Sequence, residues 1–253
     1  MNEEHHERRG TLGPLGVAVI GLGTIGRTIA RHLLDSGVTL TVFDTRPEVS
    51  GEFEARGARL AASCADAGRS VDVVIEAVGD DSQVLSMVTA PDGVLTTLRP
   101  GTVLVLHSTV RLSTVRRVAA AAADRQVHVL DAGVSTLDSH ETGVPAALVG
   151  AEAQDLDLMR PALSVYTKCV DNLSRLGSGI TAELLRNLLG YLSLAAAYES
   201  SALAEAVGID LTAVEDTCLV AAAAGLGDAE ARDPRRLARR FLLLPPEMRS
   251  ADD

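Results

Sequence analysis

The sequence predicts an α/β protein in which a mostly parallel sheet is followed by a helical C-terminal region with one long helix. Apolar runs that lack polar alternation recur between helical stretches, and such runs are typical of strands covered by helices on both faces. This alternation stops after about residue 173. The 253 residues, of which 47% are hydrophobic, are enough to bury a sizeable core.

The N-terminal elements begin with a βαβ unit. An apolar run at Val17–Ile20 is followed by a helical stretch over Thr24–Ser36 and by a second run over Val38–Phe43. The later strands are predicted at Val71–Val78, Thr102–His107, Val127–Ala132, Ala146–Val149 and Lys168–Leu173, and the helices between them near residues 48–57, 81–90, 112–125 and 152–163. We expect these elements to form one domain over residues 14–176, preceded by a disordered lead-in at residues 1–13.

The long helix is predicted over Gly179–Val207, inside a second, helical domain that covers residues 177–253. Its apolar positions recur at helical spacing; they are Leu184, Leu185, Leu188, Leu189, Leu192, Ala196, Leu203 and Val207. A helix of this length cannot bury its apolar stripe within a small domain alone. We therefore expect a homodimer, or a larger assembly, that pairs through residues 179–207.

The composition argues against several classes of function. The 34 acidic residues outnumber the 23 basic ones, and the net charge of −11 opposes binding to nucleic acids and to anionic membranes. Three Tyr, three Phe and no Trp offer few surfaces on which bases could stack. The three cysteines have no metal-ligand or redox spacing, so we expect no metal site and a cytoplasmic protein with reduced thiols. No apolar run has the length of a membrane span.

A glycine-rich motif, Gly21-Leu22-Gly23-Thr24-Ile25-Gly26, stands directly between the first predicted strand and the first helix. In this context G-x-G-x-x-G is the dinucleotide fingerprint of a Rossmann-type domain. Gly21 permits the tight turn, Gly23 lets the backbone approach a pyrophosphate, and Gly26 allows the helix to pack closely on the strand. We therefore expect these six residues to bind NAD or NADP.

The segment Asp44, Thr45 and Arg46 closes the second strand and is expected to contact the cofactor as well. Asp44 can accept hydrogen bonds from a ribose 2′-hydroxyl and would repel a 2′-phosphate, which favours NAD. Arg46 could instead pair with the 2′-phosphate of NADP. NAD is the favoured cofactor, and NADP remains open.

Four segments within residues 16–225 share their pattern with one family; they are Val19–Gly26, His107–Val110, Asp131–Ser135, and Gly177–Gly179 with Glu183 and Asn187. Together they resemble the β-hydroxyacid dehydrogenases, a family that includes 3-hydroxyisobutyrate dehydrogenase and the imine reductases. The resemblance implies an NAD(P)-dependent oxidoreductase with an all-α C-terminal domain, which is shortened here. It places Ser108 and Thr109 near the nicotinamide and Ser135 in the substrate loop. We also expect Val78, at the end of a strand, to contact the cofactor.

The chain departs from the family at the catalytic lysine, whose position holds Glu183. Asn187, one helical turn later, keeps the family residue, and positions four apart share a helix face. Lys168 is the only lysine in the chain, at the start of a predicted strand, so no other lysine can substitute. The geometry of the site can therefore persist while its charge is inverted.

The residue at position 183 constrains the chemistry, because an ionised carboxylate cannot donate a proton to a carbonyl that is being reduced. Glutamate has an ordinary pKa of about 4.3, so Glu183 would need a large upward shift through burial to act as an acid at neutral pH. An iminium carbon accepts hydride without a proton, and a carboxylate stabilises its positive charge. Tyr191, His140 and His107 are alternative proton donors.

Two hypotheses remain. The first is an active reductase that transfers hydride from NAD(P)H to a C=N or C=O bond of a small molecule. The second is a redox-inactive NAD(P)-binding protein that acts as an interaction or regulatory partner, which the missing lysine favours. Under the first hypothesis we expect Glu183 to point into the cleft between the domains, close to Asn187 and Ser135, with the nicotinamide near Ser108.

Overall fold

An eight-stranded sheet organises the computed structural model, which describes residues 15–135, 146–167 and 170–209. Within these residues the strands are β1 (Gly16–Ile20), β2 (Thr39–Phe43), β3 (Arg59–Leu60), β4 (Val73–Glu76), β5 (Val103–Leu106), β6 (His128–Ser135), β7 (Ala146–Gly150) and β8 (Val170–Asn172). Their order across the sheet is β3-β2-β1-β4-β5-β6-β7-β8. Every neighbouring pair is parallel except β6 and β7, which are antiparallel.

Helices alternate with these strands along the chain. They are α1 (Thr24–Asp35), α2 (Gly51–Glu54), α3 (Cys64–Ala67), α4 (Asp81–Thr89), α5 (Leu112–Ala123), α6 (Ala153–Tyr166) and α7 (Ser178–Ala206), with single 3-10 turns at Pro47–Val49 and Val94–Thr96. The α/β class and the mostly parallel sheet predicted from the sequence are thereby confirmed. The long helix is observed as α7, which has 29 residues.

Two apolar clusters cover the two faces of the sheet. Along β1, Val17 and Val19 belong to one cluster, which includes residues of α1 and α6. Ala18 and Ile20, the alternate positions, belong to the other cluster, which includes residues of α4 and α5. Successive side chains of a strand point to opposite faces, so a strand covered on both sides must be apolar throughout. This explains why β1 reads as an unbroken apolar run.

The strand order places a crevice at the carboxyl ends of β1 and β4. β1 pairs with β2 on one side and with β4 on the other, so the connections that follow β1 and β4 leave in opposite directions across the sheet. Ile20 and Glu76, the last residues of the two strands, lie opposite one another in the register. Doubly wound sheets bind their ligands at such a reversal point. The fold therefore positions the glycine motif and the end of β4 around one crevice.

The shortest elements are those that the sequence pattern does not reveal. β3 has two residues and α3 has four, which is too few for a period of either kind to emerge. The predicted helix near residues 48–57 consists of a 3-10 turn and the four-residue helix α2. The predicted strand Lys168–Leu173 is observed over Val170–Asn172, and its first two residues lie outside the described part of the chain.

The chain divides into two compact units, one up to Leu185 and one from Arg186 onward. The first turns of α7 therefore pack with the sheet, and the rest of the helix belongs to the second unit. The boundary expected near Gly177 stays a prediction. None of the helices in the described residues is both long enough and apolar enough to cross a membrane.

Candidate cofactor and active site

The glycine motif forms the turn between β1 and α1. Gly21 has a φ of 93°, a left-handed conformation that favours glycine, and a Cβ atom there would lie 2.4 Å from the carbonyl oxygen of Ala77. A Cβ at Gly26 would lie 1.8 Å from the carbonyl oxygen of Gly21. Both positions therefore exclude any side chain, because α1 packs directly against the turn.

Gly23 differs from the other two glycines of the motif. A Cβ at this position would meet nothing within 4 Å, so the protein itself does not require glycine here. Gly23 is also the N-cap residue of α1, and no side chain caps this helix end. The open backbone at a helix N-terminus offers N–H donors to an anion.

A cavity of about 1000 Å³ opens beside this turn. Of the cofactor residues predicted from the sequence, eight line it: Gly21, Gly23, Thr24, Ile25, Asp44, Thr45, Arg46 and Val78. Four do not line it: Leu22, Gly26, Ser108 and Thr109. Further lining residues come from the loop after β4 and from α4, among them Ala77, Gly79 and Gln83. The cavity thus spans the crevice at the carboxyl ends of β1 and β4.

Asp44 is held by the backbone of the glycine turn and by Arg46. The amide of Leu22 donates to Oδ2 at 2.7 Å, and the amide of Arg46 donates to Oδ1 at 2.9 Å. The Arg46 guanidinium adds two contacts, Nε to Oδ1 at 3.0 Å and Nη2 to Oδ2 at 3.1 Å. Burial alone would raise the pKa of Asp44, but the hydrogen bonds from Arg46 and Leu22 outweigh burial and hold the pKa below its ordinary value. Asp44 is therefore a fixed, ionised acceptor at the cavity wall.

These features fit a dinucleotide. The space above Gly23, which a side chain would fill, suits a pyrophosphate at the N-terminus of α1. Asp44, at the end of β2, suits the hydroxyls of an adenosine ribose.

Glu76, the last residue of β4, is a fully buried carboxyl group that the sequence analysis did not single out. The amide of Val78 donates to its Oε1 at 2.6 Å, and the hydroxyl of Ser108 makes a very short contact with the same oxygen. The Ser108 hydroxyl also lies 2.7 Å from the carbonyl oxygen of Val78. Burial raises the pKa of Glu76 to about 7, against the opposing effect of these hydrogen bonds. A glutamate at the end of an otherwise apolar strand was the available signal.

His107, which the sequence offered as a possible proton donor, is a buried structural residue instead. Its Nδ1 lies 2.7 Å from the carbonyl oxygen of Ala132, and its Nε2 lies 3.0 Å from the hydroxyl of Tyr166. Burial lowers the pKa of His107 to about 4, so the ring is neutral at physiological pH. With both ring nitrogens bonded inside the protein, His107 is not positioned as a catalytic acid.

Glu183 is buried in the part of α7 that packs with the sheet. Its Oε1 accepts a hydrogen bond of 2.7 Å from the hydroxyl of Thr109. Gly133, on β6, lies against it, since a Cβ atom there would come within 2.7 Å of the Glu183 Cβ. The absence of a side chain at Gly133 therefore makes room for the glutamate.

The first turn of α7 is fixed by a second buried carboxylate. Asp131, on β6, accepts hydrogen bonds from the amides of Gly177 and Ile180, at 2.5 and 2.7 Å. Burial raises the pKa of Asp131, and the amide hydrogen bonds oppose that rise. Gly150 and Gly179 bring the backbones together, since a Cβ on either would lie 2.4 Å from a neighbouring oxygen. This carboxylate cap sets the position from which Glu183 projects.

The other predicted catalytic residues lie in different parts of the chain. Asn187 and Tyr191 lie on α7 beyond Leu185, in the second unit, and Tyr191 is 72% exposed. Ser135 ends β6, where it pairs with Ala146. His140 lies outside the described residues. The predicted grouping of Glu183 with Asn187 and Ser135 stays a prediction, whereas Thr109 is observed as a partner of Glu183.

Other reactive groups in the described residues give no sign of metal or thiol chemistry. Within those residues, no three His, Cys, Asp or Glu side chains come together as a metal site would need. Cys64 lines the cavity, but burial raises the pKa of its thiol to about 11, so the thiolate is scarce at neutral pH.

Comparison with known proteins identifies the family. The model for the NAD binding domain of 6-phosphogluconate dehydrogenase matches residues 16–174. An uncharacterized oxidoreductase of Mycobacterium tuberculosis is 37% identical over 196 residues, which cover 77% of this chain and 66% of that relative. The chain thus spans just under two thirds of the relative's length.

Solved structures agree with this match. A 3-hydroxyisobutyrate dehydrogenase of Mycobacterium tuberculosis, solved with L-serine, superposes with a TM-score of 0.74 at 26% identity and covers 87% of this chain and 74% of that chain. An imine reductase from Streptomyces aurantiacus shares the fold, with a TM-score of 0.75 at 23% identity over 90% of this chain and 78% of that chain. The chain belongs to the NAD-binding oxidoreductases of the β-hydroxyacid dehydrogenase family.

Proposed function

We propose that the protein is an NAD(P)-dependent oxidoreductase that reduces a C=N or C=O bond of a small molecule, and that an iminium is the substrate its site suits best. The observation that carries this proposal is the burial of the Glu183 carboxyl group. The sequence resemblance assigns this position to the family's catalytic lysine. A carboxylate in a water-poor site stabilises a cationic group far more than it would in water.

The proposed cofactor site is the cavity beside the glycine turn. Gly23 and the first turn of α1 would hold the pyrophosphate, and Asp44 would accept hydrogen bonds from the adenosine ribose. We favour NAD over NADP because Asp44 is fixed by two backbone amides and would repel a 2′-phosphate. When bound, the cofactor supplies the hydride that reduces the substrate carbon.

A cationic substrate beside the buried Glu183 would favour its ionised form, so Glu183 would act on the substrate by charge and not by proton transfer. Its Oε1 is already engaged by the hydroxyl of Thr109, which orients the carboxylate. A protonated imine carries its own proton and becomes an amine when the carbon takes up hydride, so the site has no proton to deliver. A hydroxy acid, in contrast, would bring a second carboxylate toward Glu183. This repulsion disfavours substrates such as the L-serine seen with the 3-hydroxyisobutyrate dehydrogenase.

We also propose that the protein is cytoplasmic and forms a homodimer. Large apolar side chains of the second unit are exposed along α7, including Leu188, Leu192 and Leu203 at 54%, 60% and 68%. Such a surface supports pairing with a second copy of the chain. Sedimentation at micromolar concentration would test this, and a well-behaved monomer would contradict it.

Turnover with a substrate panel tests the reductase function. Cyclic imines, keto acids and aldehydes are each offered with NADH and with NADPH, and we expect the imines to be reduced. Glu183→Gln keeps the size of the side chain but removes its charge, so turnover of imines should fall about 10- to 1000-fold. Cofactor affinity, measured by fluorescence titration, should change little.

Glu205→Gln provides the matched control, because Glu205 is an exposed glutamate of the same helix and should keep full turnover. Equal imine turnover in the wild type and in Glu183→Gln would show that the carboxylate is a bystander. Normal cofactor binding without turnover of any substrate would replace this proposal by the redox-inactive NAD(P)-binding protein.

A further inference from the structure

We propose that Glu76 couples a proton to the redox state of the cofactor: it is protonated in the free protein and releases that proton when the oxidised, positively charged cofactor binds. The affinity for oxidised cofactor would then rise with pH, while the affinity for reduced cofactor would not. This inference rests on the cofactor-binding part of the proposed function and is independent of the substrate.

The first support is a count of protons around Ser108. Its hydroxyl lies within hydrogen-bond distance of Glu76 Oε1 and of the carbonyl oxygen of Val78. A hydroxyl has one proton and cannot donate to both acceptors. Both contacts are hydrogen bonds at once only when Glu76 is protonated and donates to Ser108, which in turn donates to Val78. The two contacts together therefore fit a neutral Glu76, whereas the Val78 amide on the same oxygen would help to hold the ionised form.

The second support is burial. Glu76 has no exposed surface, and within the described residues none of the hydrogen bonds that it accepts comes from a cationic side chain. An ionised carboxylate in such a place is costly unless a positive charge comes close. The pKa of about 7 that results means that a modest change in the surroundings moves the proton on or off near physiological pH.

The third support is the position of Glu76 in the sheet. It ends β4, on the second side of the reversal point, where doubly wound folds bind the nicotinamide half of a dinucleotide. Val78, which bonds to both Glu76 and Ser108, lines the cavity. A bound nicotinamide would thus lie against the peptide that holds the carboxyl group.

The charge of the nicotinamide supplies the coupling. The ring is a cation in NAD⁺ and neutral in NADH. Binding of NAD⁺ would place a positive charge near Glu76, favour its ionised form and send one proton to solvent. Binding of NADH would bring no such charge, so Glu76 would keep its proton. On NAD⁺ binding the only bond broken in the protein is the O–H bond of the carboxyl group, and on NADH binding none is broken.

Other titratable groups near Glu76 do not account for the same behaviour. β1 contributes none, and β5 leads into His107, whose pKa of about 4 leaves it neutral above pH 6. Its partner Tyr166 has a pKa raised by burial and stays neutral. At the start of α4, hydrogen bonds from Thr114 and Arg111 lower the pKa of Asp81, which stays ionised. The carboxyl group of Glu183 accepts a hydrogen bond from Thr109, the residue after Ser108.

Affinities for NAD⁺ and NADH between pH 6 and 8, measured by fluorescence titration, test the proposal. NAD is used because the 2′-phosphate of NADP itself titrates near pH 6. For the wild type we expect NAD⁺ to bind about tenfold more tightly at pH 8 than at pH 6, as release of one proton from a group with a pKa near 7 requires. NADH should bind equally well or less well at pH 8. A pH-indicator dye in weak buffer should record close to one proton released per NAD⁺ bound at pH 6.

Glu76→Gln mimics the neutral acid and should bind both cofactors with less than about twofold change over this range and release no proton. Ser108→Ala is a second variant, checked for folding by circular dichroism. It removes the hydroxyl that would donate to Glu76 once Glu76 has lost its proton, so the pH dependence should shift upward. Glu205→Gln, at an exposed glutamate of α7, should keep the wild-type dependence.

Several results would overturn the proposal. They are an NAD⁺ affinity that is level with pH in the wild type, the same pH dependence in Glu76→Gln, or equal proton release with NADH. Loss of the pH dependence in Glu183→Gln would move the role to that residue. If neither cofactor binds at any pH, the cofactor part of the proposed function fails as well, whereas normal binding without pH dependence refutes this inference alone.

Discussion

The two halves of the crevice differ in the chemical groups that form them. On the β1 side, the backbone of the glycine turn faces the cavity, and Gly23 leaves space that the protein does not fill. On the side of β4 and β5, buried carboxyl groups are held by the hydroxyls of Ser108 and Thr109. The first half depends on side chains being absent, and the second depends on which side chains are present. Substitutions in the two halves should therefore fail in different ways.

The largest effect is expected within the glycine turn. Gly26→Leu would force a side chain into the Gly21 carbonyl, so we expect a loss of about 3 kcal/mol or more in the free energy of unfolding. Gly23→Leu meets open space and should cost about 1 kcal/mol or less. It should nevertheless weaken cofactor binding at least 100-fold, because its side chain occupies the proposed pyrophosphate position. Chemical denaturation and fluorescence titration separate the two effects, and equal cofactor affinity in Gly23→Leu would refute the assignment.

The next effect is a change with pH in the protein's free energy of unfolding, caused by Glu76 in the second half of the crevice. Because burial raises the pKa of Glu76 to about 7 in the folded state, the unfolded chain loses this proton at lower pH than the folded chain does. The wild type should therefore lose stability as the pH rises from about 4.5 to 7, by about 2–3 kcal/mol. Glu76→Gln lacks this loss, so urea denaturation should show its advantage over the wild type growing across that range. A constant difference between the two proteins would argue against a raised pKa.

A smaller effect is expected at the ribose end of the first half. Asp44→Ala removes the acceptor for the 2′-hydroxyl, so the affinity for NAD should fall about tenfold, which corresponds to about 1.4 kcal/mol. The affinity for NADP should improve relative to that for NAD, since the repulsion is removed as well. Arg46→Ala is the reciprocal variant. Loss of NADP binding in Arg46→Ala, together with little change in Asp44→Ala, would reverse the proposed preference.

The smallest effect is expected from the hydroxyl that orients Glu183. Thr109→Val removes the hydrogen bond to Oε1 and should lower imine turnover about fivefold, in keeping with about 1 kcal/mol for one hydrogen bond. Thr109→Ser keeps the hydroxyl and should retain most of the activity. The change should appear in kcat more than in KM. Equal turnover in Thr109→Val and in the wild type would show that this contact does not orient the catalytic charge.

The comparison also explains how much the sequence could predict. The first half was predicted residue by residue, because the turn is local: six consecutive residues contain its glycines, and Asp44 follows at the end of the next strand. The second half joins residues that are far apart, since Glu76 meets Ser108 across 32 positions and Thr109 meets Glu183 across 74. No period or spacing relates such residues, so only the folded chain brings them together.

Two particular outcomes show the same limit. His107 was considered as a proton donor because histidine can titrate near pH 7 and this one stands at a strand end beside Ser108. In the folded protein its ring nitrogens bond to Tyr166 and to the Ala132 carbonyl. The antiparallel direction of β7 could not be predicted from the sequence either, because Ala146–Gly150 has the same apolar composition as the parallel strands. The direction of a strand and the burial of a side chain at its end both depend on the whole folded sheet.

The carboxylate cap on α7 has a consequence for how this site can be altered. Asp131 and the glycines around it fix the start of the helix without any contribution from the side chain at position 183. Side chains with different functional groups could therefore be introduced at position 183 while the helix keeps its place. The size of side chain that position 183 can hold is limited by Gly133, whose missing side chain leaves the space that Glu183 occupies. A library that varies positions 133 and 183 together, with Asp131 held constant, would sample new reactivities on an unchanged frame.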